Sequence, residues 1–274
     1  MGHRTVFFVS DQTGVTAETM GHSLLTQFGG LAFRQVTLPF ISTIDKAEEA
    51  VRRINATAVA EGIRPVVFST LVQESLRAVV KRADALFLDF FDAFLAPLEA
   101  ELQVSSSRTE GKAHGMADIG AYMLRINATN FAMANDDGGV SQDYEHADVI
   151  LVGVSRSGKT PTCLYMALQY GIFAANYPLT DDDFEQRRLP SKLVNYRSKL
   201  FGLTIRPERL QQIRQERKPD SRYASPAQVS YELRAAEALF AQFSIPFIDT
   251  TETSIEEIAS RIIERIQLER RLRP

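Results

Sequence analysis

The sequence predicts an α/β fold: an N-terminal α/β unit with a mainly parallel sheet, followed by a second α/β unit around a phosphate-binding loop. Three observations predict it. Strand-like and helix-like runs alternate through the first ~100 residues. The octapeptide Gly153-Val154-Ser155-Arg156-Ser157-Gly158-Lys159-Thr160 fits the pattern G-x-x-x-x-G-K-[ST]. It stands between an apolar run, Val149 to Val152, and a stretch of helical spacing, Leu164, Ala167 and Leu168. Between the two units, from Val104 to about Asn127, the character of the chain changes. The expected domains are 1–104 (N-terminal α/β domain), 105–146 (linker and connecting helix) and 147–274 (P-loop nucleotide-binding domain).

The elements follow in order. Thr5 to Val9 is a β-branched and aromatic run that ends at Ser10-Asp11-Gln12-Thr13-Gly14. A helix follows with Ala17, Met20, Leu24 and Phe28 expected on one face. Phe33 to Leu38 reads as a second strand, and Ser42 with Asp45 as the cap of a helix carrying Ala47, Val51, Ile54 and Ala58. Pro65 to Phe68 and Ala85 to Leu88 are two further strands, each before a helical pattern. Ser105 to Lys112 is polar and breaker-rich, and a helix-like stretch then leads to Asn135-Asp136-Asp137-Gly138-Gly139. Beyond the octapeptide, Ala174 to Tyr177 and Lys199 to Ile205 read as strands. Ser225, Pro226 and Gln228 supply the cap, the N1 proline and the N3 glutamine of a helix with the stripe Val229, Leu233, Ala236, Phe240, Phe243. Ile245 to Ile248 is the last strand, with a proline that points to a sheet edge. Ser254 and Glu257 form a capping box for a final helix with Ile255, Ile258, Ala259, Ile262 and Ile266 on one face.

The octapeptide carries the chemistry. Glycines let backbone N–H groups turn inward around phosphate oxygens, Lys159 reaches the outer phosphates, and the Thr160 hydroxyl can hold Mg2+. Pro161 falls in the first helical turn, where its missing N–H costs little. Arg156 offers a donor fork to phosphate or is a solvated arginine; Ser155 and Ser157 read as loop formers that lend their backbone N–H groups. Cys163 reads as a small buried residue of the helix rather than a nucleophile.

Composition narrows the classes. The chain has 274 residues, 45% hydrophobic and 24% charged, with a formal charge of −3, so a nucleic-acid or anionic-membrane partner is not expected. No apolar run approaches the ~20 residues of a membrane span, and the start lacks the h-region of a signal peptide. A single cysteine excludes an internal disulfide, and a cytoplasmic location is expected.

Several stretches together resemble one family, the bifunctional regulatory proteins of phosphoenolpyruvate synthase and pyruvate, phosphate dikinase. They are Val9 to Glu18, Thr37 to Phe40, Gly153 to Thr162, Ala174 to Leu179, Lys199 to Ile205, Ser221 to Ser225 and Ser254 to Ala259, which together span nearly the whole chain. Gly158 before Lys159 looks like the synthase branch. The resemblance implies a P-loop kinase-like second domain and two opposed reactions on one partner, phosphoenolpyruvate synthase. In one, the β-phosphoryl group of ADP moves to a threonine of the synthase. In the other, inorganic phosphate attacks the phosphothreonine and releases pyrophosphate. ADP, Mg2+ and phosphate are the implied co-substrates, and a homo-oligomer is compatible with all of it.

Other candidates carry two readings each. Asp249, at the end of an apolar run, is either a magnesium-orienting carboxylate or the cap of the next turn. Asp136 and Asp137 read as a solvated turn in preference to a functional carboxylate pair, and Ser10 to Gly14 as either a second anion site or a cap and turn. His22 is expected on a helix surface or in packing; His114, in a polar segment, is an acid–base candidate but is not expected to act as one. Arg206, Arg209, Arg214, Arg217, Lys218 and Arg222 read as a solvated helix face, with Arg222 also placed where a phosphate-closing lid would be. Asp181 to Asp183 reads as an exposed loop or helix start. The rival functions are a small-molecule kinase using ATP and a non-enzymatic nucleotide sensor.

Overall fold

A computed structural model describes residues 3–107, 119–136, 143–186 and 188–272. The chain divides into two compact units, 1–117 and 118–274. Each contains a four-stranded parallel sheet, as the alternating pattern requires.

In the first unit the strands are β1 (Arg4–Val9), β2 (Phe33–Leu38), β3 (Val66–Ser69) and β4 (Leu86–Asp89), in the order β2-β1-β3-β4. Its helices are α1 (Val15–Leu25), α2 (Ile44–Glu61), α3 (Glu74–Val80) and α4 (Phe90–Leu102). Alternate residues of β1 feed two apolar layers. Phe7 and Val9 pack with Ala47, Val51 and Ile54 of α2 and Leu76 of α3, whereas Val6 and Phe8 pack with Ala17 and Leu25 of α1 and Phe90 of α4. Burial on both faces explains the unbroken apolar run of β1.

Two local expectations are corrected here. The buried face of α1 is Ala17, Gly21 and Leu25, while Met20, Leu24 and Phe28 are exposed. A Cβ on Gly21 would lie 2.4 Å from Phe8 Cε1 and 2.8 Å from Phe68 Cδ2, so the glycine lets the helix settle on the sheet. The cap of α2 is Thr43, not Ser42: its backbone is extended and its hydroxyl accepts from Lys46 N.

The second unit begins with α5 (Ile119–Ala134) and continues through β5 (Val149–Gly153), α6 (Lys159–Tyr170), β6 (Ala174–Pro178) and α7 (Asp181–Gln186). A 3-10 stretch (Ser191–Lys199) precedes β7 (Leu200–Thr204), α8 (Pro207–Arg217) and a second 3-10 turn (Arg222–Ala224). Next come α9 (Pro226–Phe243), β8 (Phe247–Asp249) and α10 (Ile255–Arg265). The order β6-β5-β7-β8 makes β5 an interior strand and puts β8 at an edge, in keeping with Pro246 before it. Val149 and Leu151 pack with α5, α6 and α10, whereas Ile150 and Val152 pack with Leu210 of α8 and Val229, Leu233, Ala236 and Phe240 of α9. The caps at Ser225 and Ser254 form as expected, accepting from Gln228 N and Glu257 N. Among the described residues no helix is long and apolar enough to cross a membrane.

Candidate functional site

The site grows out of β5. From β5 the chain runs through α6 to β6 on one side and then crosses to β7 on the other. The carboxyl end of β5 is therefore a topological switch point, where parallel sheets leave a crevice. Residues 154–158 form the loop at this end, and α6 starts at Lys159. Gly153 and Gly158 are needed for different reasons. A Cβ on Gly153 would sit 2.4 Å from the carbonyl oxygen of Leu203 on the neighbouring strand. Around Gly158 there is open space, but its φ of +91° is a conformation that other residues adopt only with strain. Arg156 is exposed and also left-handed, at φ 74°. The 12-residue helix α6 presents its positive end to the loop without a side-chain cap, the electrostatic setting of an anion site.

Lys159 is buried, and its ammonium donates to the carbonyls of Gly153 at 3.0 Å and Val154 at 2.8 Å. The charge thus stays inside the loop although the side chain starts on the helix. The Thr160 hydroxyl donates to Asp136 Oδ1 at 2.7 Å, and Asn176 Nδ2 donates to both Asp136 Oδ1 and Thr160 Oγ1. Asp136 lies two residues beyond α5, and Asn176 lies in β6. In place of a solvated turn, the structure puts Asp136 against the threonine of the loop; Asp137 and His114 fall outside the described residues. Among the described residues, two buried oxygens here, Ser157 Oγ and Asn176 Oδ1, have no hydrogen-bond partner.

The underside of the loop is held by a buried ion pair. Arg214 of α8 is fully enclosed, 2.6 Å from Glu232 of α9, and donates to the carbonyls of Ser155 at 3.1 Å and Tyr223 at 3.0 Å. Its guanidinium lies 4.1 Å from the Tyr223 ring centroid, and Tyr223 Oη is 2.9 Å from Ser155 Oγ. This corrects the solvated reading of the basic stretch at one position: Arg214 points inward, whereas Arg206, Arg209, Arg217, Lys218 and Arg222 are exposed. Sequence reasoning missed it because one inward arginine has the same spacing as its solvated neighbours. The signal that could have found it is the acidic Glu232 on the apolar stripe of α9.

Asp249 ends β8 and is exposed; its Oδ1 accepts from Thr251 N at 2.8 Å and from the Thr251 hydroxyl. Its neighbour Thr250 reaches the loop, donating to the carbonyls of Ser157 at 3.2 Å and Thr204 at 3.0 Å. Cys163 is buried, its thiol 3.5 Å from the Ala175 carbonyl, and desolvation pushes its pKa far up. Asp183 caps the start of α7, accepting from Thr180 N at 2.9 Å, while Asp181 and Asp182 are exposed.

In the first unit, Ser10 to Gly14 lies at the corresponding switch point, after β1. Asp11 is buried and accepts from Val72 N at 2.9 Å; Ser10 Oγ accepts from Gln12 N at 3.2 Å. Gly14, left-handed at φ 87°, leads into α1, whose first turn has no side-chain cap. His22 is exposed, the surface reading of the two.

A family model described as kinase/pyrophosphorylase matches residues 6–263. A protein of Alcanivorax borkumensis, named "putative phosphoenolpyruvate synthase regulatory protein", is 56% identical over 269 residues, covering 98% of this chain and 99% of its own. Similar proteins of the same name occur in Alkalilimnicola ehrlichii, 55% identical with 98% of each chain covered, and in Pseudomonas aeruginosa, 52% identical with 98% of each covered.

Proposed function

The chain belongs to the kinase/pyrophosphorylase family, and on that footing we propose that it regulates phosphoenolpyruvate synthase by two opposed phosphoryl transfers. In the inactivating direction a target threonine hydroxyl attacks the β-phosphorus of ADP; the bond to the bridging oxygen breaks, AMP leaves, and the hydroxyl proton is lost. In the reactivating direction an oxygen of inorganic phosphate attacks the phosphothreonine, the threonine hydroxyl is restored, and pyrophosphate leaves.

The observation that carries this reading is the loop at the head of α6, with Lys159 and Thr160 in place, in a chain that matches the family over nearly its full length. Phosphoryl transfer needs positioning and charge neutralisation more than covalent help. Backbone N–H groups of residues 154–160 and the helix end receive the phosphates. Lys159, swung from the loop carbonyls onto the terminal phosphate of ADP, neutralises the charge that develops there. Thr160 supplies a hard oxygen of the kind Mg2+ accepts and would hold the ion, which would supply charge neutralisation for the phosphates. Arg156, exposed on the loop, is the further cation within the octapeptide. Asp249 is the least supported of the expected site residues, because its carboxylate is engaged by the turn at Thr251.

The test is transfer of label from β-labelled ADP to purified phosphoenolpyruvate synthase, run beside γ-labelled ATP. Label on a synthase threonine from ADP, with loss of synthase activity, is the expected result. Label from ATP alone would make the protein an ordinary kinase. Lys159→Ala should lower transfer by about 10²–10³-fold while leaving the fold intact.

A further inference from the structure

One carboxylate beside the loop, Asp136, has no role in the transfer steps. Asp136 comes from outside the octapeptide and from the far side of β5 in sequence, yet it accepts the hydroxyl proton of Thr160 at 2.7 Å. Its position is fixed by the backbone. Asn176 N donates to the Asn135 carbonyl at 3.2 Å, and Asn135 Nδ2 donates to the Phe131 carbonyl at 3.0 Å, which pins residues 135 and 136 to β6 and the end of α5. Asn176 is 1% exposed. Its amide nitrogen holds Asp136 and Thr160, but its Oδ1 has no partner among the described residues. A buried amide oxygen without a donor has lost its hydration without replacement, so it marks a place where a donor is expected.

We propose that Asp136 and Asn176 are the positioning residues of the divalent cation that accompanies the nucleotide, acting together with the Thr160 hydroxyl. This rests on the nucleotide reading of the loop. Mg2+ keeps several of its waters when it binds beside phosphates, and those waters are strong donors. Asn176 Oδ1 is an acceptor for such a water. The Asp136 carboxylate turns the Thr160 hydroxyl so that an oxygen lone pair, not the proton, is left for the cation, and adds the negative charge that an ion beside a lysine needs. A purely structural role for Asp136, closing the end of α5, would account for the two hydrogen bonds it accepts but not for the unpartnered oxygen beside it.

The two roles separate by charge. Asp136→Asn keeps an oxygen that can accept from Thr160 and Asn176 but removes the negative charge. ADP binding to the full chain would be measured calorimetrically across a magnesium series, with Mn2+ bound in the ADP complex counted by electron paramagnetic resonance. The expected result is a loss of about 10–100-fold in metal affinity, the usual effect of removing a partner that orients a metal ligand, with metal-free ADP affinity retained. Asp136→Glu, which keeps the charge, should recover part of the metal affinity whether or not the asparagine variant melts early. Unchanged metal affinity in Asp136→Asn, or equal loss in Glu and Asn variants, would overturn the assignment. Wild-type protein that binds no ADP at any magnesium concentration would instead remove the nucleotide reading, and this inference with it.

Discussion

Replacing Arg214 by methionine separates what the buried ion pair does for stability from what it does for the loop. The side chain is fully enclosed, its partner Glu232 is 11% exposed, and the two charges are 2.6 Å apart. Removing the cation leaves a buried carboxylate whose remaining side-chain partner is the amide of Gln228, 3.0 Å from Oε1. Breaking such a pair costs about 3–5 kcal/mol. At about 2–4 °C per kcal/mol for a unit of this size, the melting transition of the second unit should fall by roughly 6–20 °C. Replacing both partners by methionine should recover most of that loss, because an apolar pair of similar volume avoids burying two charges. It does not restore the charge-assisted hydrogen bond from Arg214 to the Ser155 carbonyl, which holds the loop from beneath. ADP affinity should therefore stay low in the double variant while its stability returns. Thermal melts and calorimetric ADP titrations of the wild type, the single and the double variant give the comparison. A double variant as unstable as the single one, or one that binds ADP like the wild type, would refute the reasoning.

Three further outcomes are expected. Gly153→Ala should destabilise the second unit by about 1–3 kcal/mol and weaken ADP binding, because the new Cβ meets the Leu203 carbonyl at 2.4 Å and must push β5 from β7; denaturant titration beside ADP titration checks it, and unchanged values would count against the close strand contact. Gly21→Ala should cost the first unit a similar ~1–3 kcal/mol, since the Cβ would lie 2.4 Å from Phe8 Cε1; an isolated melt shift near zero would mean that α1 can lift away freely. Cys163, the chain's single cysteine, should resist a thiol reagent at pH 8 in the native protein and react in denaturant, because burial raises its pKa and keeps it a thiol well above the ordinary range. Rapid labelling of native protein would contradict that burial.

Much of this protein was settled by local sequence. The strand at Phe33 to Leu38, the caps at Ser225 and Ser254, and the left-handed Gly158 of the octapeptide follow from local residues: a β-branched run, a hydroxyl facing an amide three residues on, and a glycine at a tight turn. What tertiary structure decided depends on neighbours far along the chain. The buried face of α1 contains Gly21, which apolar spacing does not register, because what matters is the approach of Phe8 and Phe68. Arg214 is enclosed because Glu232, 18 residues away on α9, supplies its counter-charge. Asp136 meets Thr160, 24 residues later, only because α5 and β6 flank the strand that carries the loop. Spacing along one element is legible from a chain, but which charge meets which hydroxyl is set by how the parallel strands are ordered.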